Sequence, residues 1–552
     1  MHCMNDPLHR QSTNRSLRSA AFPAAVIAAG LFAVYLISIV SASLHHGLGF
    51  TLDDGWIHLA YARNLADFGV WGLNPDQPSA GDTSILYVLA LTPAFLLNHA
   101  GVLAAYAVNL LALIAVAVLA AGIARELVPA SPRQRLLLVV LVAACGNLIW
   151  YAFTGMETLL MLALGLAAIR SASAGRHWTT GLLIVLTGLT RPEGITVGLA
   201  VAAWAFLHRL REPSDRCRRA SWLIPLAACA AAVAIGLIWQ HAVTGQWLPT
   251  TLQGRSWIIG QPPGPALNPL SIAANVLWLI GVWGYRLLQF SFGQAILVHL
   301  GLPGTVAWIV SGLAAAIALV GFIAYLARAG TQAAILLIWA ILHLLAYAVF
   351  LPTRGHAGRY QPMVLILAML CLGLGILWLI DRPRSRPLRT TLIALASVVV
   401  AAALGGNALW IIAARQSITL FDRVHLSAAA WLHSHTASDA RVAAFDIGAI
   451  AYLAGRTVID VGGLCDPDAA RALYNRTIPH YLRQRQTDYL AMIFPYHDPD
   501  EYLRRLDLQP LLDERILQPV QSFSFSPEPI LAGKTARVVA GKIVIYRLNS
   551  RP

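Results

Sequence analysis

Asp53 and Asp54 stand side by side just beyond a long apolar run, opening the segment Asp53-Asp54-Gly55-Trp56-Ile57-His58-Leu59-Ala60-Tyr61-Ala62-Arg63-Asn64-Leu65. Adjacent carboxylates repel, so one of them tends to a raised pKa, which suits a general base. On a helix starting there, His58, Tyr61 and Arg63 fall within two turns of the pair. The competing reading is a helix N-terminus at which acidic residues stabilise the dipole. Other ionisable residues recur in short breaks between apolar runs. Glu157 lies in Thr154-Gly155-Met156-Glu157-Thr158, and Arg191 and Glu193 lie in Arg191-Pro192-Glu193-Gly194. Arg255 follows Pro249-Thr250-Thr251, while Arg354, His356 and Arg359 share Arg354-Gly355-His356-Ala357-Gly358-Arg359-Tyr360. A single arginine in such a place can be a helix-end residue snorkelling to the headgroups. As a set, ionisable groups at membrane depth are expensive and mark function. Guanidinium groups bind phosphate bidentately, and a carboxylate can take a proton from a hydroxyl. The expected chemistry is sugar transfer from a lipid-phosphate donor to an acceptor alcohol.

The elements that must position these residues are membrane helices. Of 552 residues, 57% are hydrophobic and 12% charged, against about 45–50% and about 25% in a soluble domain. A cytosolic enzyme, a secreted disulfide scaffold and a disordered chain are excluded. The expected fold is an all-α polytopic membrane protein of about 11 transmembrane helices, followed by a C-terminal extracytoplasmic α/β domain. The borders fall at 1–21 for a cytoplasmic tail, 22–414 for the membrane domain with its outer loop at 45–100, and 415–552 for the α/β domain. The run at 22–44 is too long for a signal-peptide core and reads as the first span. Further spans are expected near 101–122, 135–153, 157–170, 178–190, 194–208, 221–241, 303–327, 331–352, 360–380 and 389–413. The stretches 84–98 and 270–300 read as interfacial or re-entrant helices on the outer side.

Charge supports this layout. The expected cytoplasmic segments hold 18 arginines, against 6 in the outer segments before 415, as the positive-inside rule requires. The net charge of +14 therefore follows membrane topology and indicates no nucleic-acid partner. In the tail, a helix is expected over 422–435 and strands over 442–445, 457–459, 489–494 and 542–548. Asp446 and Asp460, directly after two of those strands, read as helix caps. The six cysteines form no CxxC or Cys/His cluster, so no zinc site is indicated.

The first loop resembles that of GT-C-fold glycosyltransferases, closest to bacterial and mycobacterial arabinofuranosyltransferases that use a polyprenyl-phosphate donor. The resemblance is carried by the Asp53–Leu65 segment, by Asn74-Pro75 and by Gly81-Asp82-Thr83-Ser84. Ser79-Ala80-Gly81-Asp82 stands where the family has a glutamate-glycine-tyrosine step, so the family's acidic residue before the glycine is missing. Further matches, in order, are Gly155-Met156-Glu157-Thr158, Thr190-Arg191-Pro192-Glu193-Gly194, Pro249-Thr250-Thr251 with Arg255, Gly358-Arg359-Tyr360, and the tail segments Asp446–Tyr452 and Asp460–Asp466. The resemblance implies an inverting transfer with Asp53 or Asp54 as base. It implies that Arg359, Arg354, Arg255 and Arg63 neutralise the leaving phosphate, and that Glu157 orients the acceptor or holds a metal. His58, Tyr61, Arg191, Glu193 and His356 complete the expected substrate site. Some members of the superfamily need a divalent cation, but the second loop shows no DxD or DxE pair, so no essential metal is expected. The implied partners are a polyprenyl-phosphate-linked sugar, a glycan or glycoprotein acceptor, and membrane lipids. The implied location is the bacterial inner membrane. The rival reading is a transporter or flippase, for which inverted repeats would be expected; none is visible.

Overall fold

The computed structural model describes residues 7–42, 44–79, 81–211, 222–247, 249–251, 254, 268–353, 355–382, 385–494, 500–526 and 541–549. Among these, eight helices are long and apolar enough to cross a membrane. They are Ala20–Val40, Gly101–Leu127, Leu223–Thr244, Pro269–Ser291, Gly304–Arg328, Thr331–Phe350, Met363–Asp381 and Arg386–His435. The chain is thus a multi-pass membrane protein with a small C-terminal sheet.

The helix lengths depart from the expected count of about 11. The expected span 135–153 is broken at Cys145 into Pro132–Ala143 and Gly146–Tyr151. Those at 157–170, 178–190 and 194–208, short already in the sequence, form the helices Thr158–Ser173, His177–Thr190 and Thr196–Arg211 and fall below the length of the eight long helices. Glu157 and the Arg191-Pro192 step interrupt what composition alone reads as near-continuous apolar chain. Conversely, 270–300 is not simply interfacial. Asn268 caps a helix with Pro269 in its first turn, and this helix runs 23 residues to Ser291. Gly293, at φ +89°, then turns the chain.

Close packing of the bundle relies on small residues. A Cβ on Gly321 would stand 1.7 Å from the Cys371 carbonyl oxygen, and one on Gly375 would stand 1.9 Å from that of Ile317. Helices Gly304–Arg328 and Met363–Asp381 therefore meet backbone to backbone, as membrane helices do where small residues face each other.

The last membrane helix does not stop at residue 414. It continues through a π-helical stretch, Phe421–Leu426, to His435, so the expected domain border lies inside one helix. The tail beyond it is a five-stranded sheet in the order β2-β1-β3-β5-β4. Its strands are β1 (Arg441–Ala444), β2 (Thr457–Asp460), β3 (Tyr489–Phe494), β4 (Leu517–Ser524) and β5 (Lys542–Leu548). β1 pairs parallel with β2 and β3; β5 is antiparallel to β3 and β4. The edge strand β4 was not expected from sequence. It carries Pro519 and leaves most side chains in solvent, so it lacks the alternation that marks a half-buried strand, and proline is tolerated there because the strand is an edge.

The outer loop and the tail are locked together. The loop helix, Asp54–Phe68, lies along the short tail helix Gly448–Leu453. The Asp53 carboxylate accepts the Gly448 and Ala449 N–H groups at 2.6 and 2.9 Å. Ten residues on, Arg63 donates to the carbonyls of Tyr452 and Ala451 at 2.5 and 3.3 Å. One face of the loop helix thus grips both ends of the tail helix. Gly448 permits the approach, because a Cβ there would stand 2.2 Å from the Asp53 carbonyl oxygen. Asn74 completes the joint by pairing with both main-chain groups of Val458, at 2.8 and 3.0 Å, on edge strand β2. Removing a buried partner and leaving its mates unpaired costs roughly 1–3 kcal/mol. Asn74→Ala is therefore expected to raise amide exchange at Val458 by about 10- to 100-fold, read by hydrogen-exchange mass spectrometry, with helices of the membrane bundle unchanged.

Candidate active site

The loop that carries Arg359 is held from four sides. Tyr151 Oη and Asn147 Nδ2 donate to the Ala357 carbonyl at 2.6 and 3.1 Å. Arg286 Nη2 donates to the Gly355 carbonyl at 2.6 Å. His343 Nε2 lies 2.8 Å from the Tyr360 carbonyl, and Trp283 Nε1 donates to Gln361 Oε1 at 3.2 Å. Gly358, at φ +78°, packs where a Cβ would stand 2.5 Å from the Trp283 ring. This scaffold sets the Arg359 guanidinium at 2% exposure. Its Nη2 donates to the Asp54 carboxylate and to Tyr360 Oη. Its Nε and Nη1 are buried with no partner. Asp54 keeps 34% of its side chain in solvent.

His356 stands beside this pair. His356 is exposed, yet desolvation by its neighbours, and then the Arg359 and Arg286 charges, lower its pKa to about 4. These surroundings favour the neutral imidazole. Asp54 and the tail residue Asp446 act on it from the opposite sense. Asp446 lies 3.0 Å from His425 Nε2, and no helix is capped by it. The cap of the helix that follows comes from Asp53, across the loop–tail joint. Asp460 closes its own turn onto the Gly462 and Cys465 N–H groups, while the neighbouring cap is Asp466 on helix Pro467–Asn475. Burial, and then the Asp446 charge, raise Asp53 to about 7 against its two backbone hydrogen bonds.

A second network lies behind the first. His58 sits between Asp82, 2.6 Å from Nδ1, and Glu157, 2.9 Å from Nε2. Glu157 meets Arg191 at 2.7 Å, Arg191 meets Glu193 at 2.6 Å, and Tyr347 Oη donates to Glu193 at 2.5 Å. The charges alternate along the chain, as buried ions must if each is to be met. Burial opposes charge on His58, yet Asp82 and Glu157 raise it to about 10. Burial likewise opposes the Glu157 and Glu193 carboxylates, but Arg191 together with His58 at Glu157, and with His343 and Tyr347 at Glu193, outweighs it and holds both near 2. The networks meet at Tyr360, whose ring lies 5.2 Å from the Arg191 guanidinium and 5.0 Å from that of Arg359.

Of the residues expected from sequence, Asp54, His356 and Arg359 come together in one recess. Glu157, Arg191, Glu193 and His58 form the supporting network. Asp53, Tyr61 and Arg63 serve the loop–tail joint. The Arg63 guanidinium turns to tail carbonyls rather than toward the phosphate role the resemblance implies. Tyr61 Oη lies 2.6 Å from Ser79 Oγ and accepts the Gly81 N–H at 3.0 Å. Arg255 and Arg354 lie outside the described residues. Sequence reasoning passed over Asp82, Arg286, Tyr360, His425 and the site placement of Asp446. Asp82 follows the glycine of Gly81-Asp82 where the family's acid precedes it, so a shift of register hid it. Among the described residues, no group of three or more His, Cys, Asp and Glu side chains is placed to hold a metal ion.

Residues 412–537 match a family described only as a domain of unknown function (DUF8728). No curated protein matches the chain. Among solved structures, the archaeal oligosaccharyltransferase AglB from Archaeoglobus fulgidus, in complex with an inhibitory peptide and a dolichol-phosphate, aligns at TM-score 0.54 and 12% identity, over 93% of this chain and 74% of that one. ArnT from Cupriavidus metallidurans in the apo state aligns at TM-score 0.54 and 12% identity, over 94% and 96%. The same protein bound to undecaprenyl phosphate aligns at TM-score 0.50 and 11% identity, over 94% and 97%. The fold is GT-C. At these identities the likeness fixes the fold and leaves the chemistry to the site.

The His58 network has a defined pH signature. His58 has a folded pKa above its ordinary 6.5, so its contribution is complete below about 6.5 and is lost as pH rises through about 10. Glu157 has a folded pKa below its ordinary 4.5, so its contribution is complete above about 4.5 and is lost as pH falls through about 2. The network is therefore expected to stabilise fully between about pH 4.5 and 6.5. His58→Gln should flatten the fall in thermal stability between about pH 6.5 and 10. An unchanged alkaline limb in that variant would show that His58 is not charged in the folded protein.

Proposed function

We propose that this protein is a membrane glycosyltransferase that moves a sugar from a polyprenyl-phosphate donor to an acceptor hydroxyl or amide on an extracytoplasmic glycan or protein. The observation that carries this reading is Arg359: a buried guanidinium with two unmatched donors, beside a partly exposed carboxylate. The unmatched Nε–H and Nη1–H lie on different edges of the guanidinium, and each can donate singly to a phosphate oxygen as a charge-assisted hydrogen bond. The fold adds support, since the AglB and ArnT structures it resembles include complexes with dolichol-phosphate and undecaprenyl phosphate.

In this reading Asp54 is the general base and Asp53 is not, because Asp53 is committed to the tail backbone. The acceptor attacks the anomeric carbon as Asp54 takes its proton. The bond from that carbon to the donor phosphate oxygen breaks, and the configuration inverts. The negative charge appearing on the polyprenyl phosphate falls on Arg359, with Arg286 nearby, in a site already oriented for it. Neutral His356 adds a hydrogen-bonding group without adding charge. Glu157 and Arg191 hold Tyr360, and through it Arg359, rather than touching substrate. The sugar is arabinofuranose or another polyprenyl-linked residue. The site faces away from the cytoplasm of the bacterial inner membrane, in keeping with the distribution of arginine.

Incubation of the purified protein with polyprenyl-phosphate sugars and candidate acceptors, following release of polyprenyl phosphate, tests this reading. One donor is expected to support release. Asp54→Asn should lower the rate by about 10²–10⁴-fold, while Asp53→Asn should keep turnover of the folded fraction. Equal loss in both, with the tail still docked, would transfer the base role to Asp53. Release unaffected by Asp54→Asn would remove the base from this loop.

A further inference from the structure

We propose that the end of the bundle opposite Arg359 carries a second anion site, built around Arg135, which binds the phosphate headgroup of an anionic membrane lipid. Arg135 lies in the first turns of helix Pro132–Ala143 and is 5% exposed. Its Nε is buried without a partner. Arg125, in the last turn of helix Gly101–Leu127, and Arg170, in the last turn of helix Thr158–Ser173, lie within electrostatic reach of one another across it. The Arg170 side chain lies against Gly122, with its Cδ at an ordinary contact distance of 3.9 Å from where a Cβ would stand.

Among the described residues, two carboxylates near this end, Glu126 and Asp381, have other partners. Glu126 accepts the Gln332 N–H at 2.8 Å, the Gln332 side-chain amide at 2.9 Å and the Ala333 N–H at 3.2 Å, capping helix Thr331–Phe350. Asp381 accepts the Gln134 side-chain amide at 3.1 Å. A buried guanidinium among like charges is costly unless an anion meets it.

Position selects the kind of anion. Helix Gly101–Leu127 starts against Leu59 and Phe95 of the outer loop. At 1.5 Å per residue, Arg125 lies roughly 36 Å further along it, about one hydrocarbon thickness. The cluster therefore sits at the opposite interface, where lipid phosphates lie and where basic pockets between helices bind headgroups. The donor phosphate proposed above lies at the other face, so this site is independent of it.

Native mass spectrometry of the delipidated full chain, titrated with phosphatidylglycerol or with phosphatidylcholine, tests the proposal. Phosphatidylglycerol is expected to be retained as a discrete adduct and phosphatidylcholine not. Arg135→Gln should weaken retention by about tenfold, the value of one charge-assisted hydrogen bond. Arg170→Gln, at an exposed position, should weaken it severalfold and guards against misfolding of the first variant. Equal retention of the two lipids, or retention unchanged in both variants, would overturn the proposal. So would inorganic phosphate binding as tightly as the lipid, because the site would then take a free anion.

Discussion

A guanidinium that water cannot reach has to be met by the protein, and Arg359 sets that demand on everything around it. Asp54 supplies one charge, which fixes where the loop helix must start. The demand on backbone is as strict. The chain from Gly355 to Gln361 is fastened through Tyr151, Asn147, Arg286, His343 and Trp283, side chains drawn from three separate helices. None of these bonds is strong alone. Together they hold a left-handed glycine and a buried cation in one conformation, with two of its N–H groups left without a protein partner.

Behind that loop, the alternating chain from Asp82 to Tyr347 meets the same constraint in another way. Asp82, His58, Glu157 and Arg191 are buried and Glu193 is half-buried, and each has an opposite charge within about 3 Å. Tyr360 joins this chain to Arg359 through its ring, so the recess has a rigid back wall. Rigidity of this kind is what electrostatic preorganisation needs: the dipoles are in place before charge develops.

The tail does more than hang from the membrane domain. A continuous helix carries it out of the bundle, the loop helix grips one of its short helices at both ends, and Asn74 caps an edge of its sheet. By that docking Asp446 comes to the border of the Arg359 recess. The region whose family has no assigned role is thus part of the wall of the site, and Asp53 and Arg63, the most conspicuous charges of the first loop after Asp54, are spent on holding it there.

Much of this was determined by the sequence alone. The apolar runs, the arginine asymmetry and the alternating tail segments follow from solvent transfer and from side-chain period, which are local properties. They fixed a membrane bundle, a sheet-bearing tail and four of its five strands. The motif breaks between apolar runs also marked Asp54, Glu157, Arg191, Glu193 and Arg359. What only the tertiary structure decided is which of these ions meet. Asp53 and Asp54 are neighbours with identical chemistry, yet one faces the tail backbone and the other Arg359, because successive residues of a helix point about 100° apart. Asp82 and Asp446 became visible only when residues 24 and 21 positions away, His58 and His425, were brought beside them. Pairing of buried charges is a long-range condition, satisfied in three dimensions and written nowhere in the local sequence.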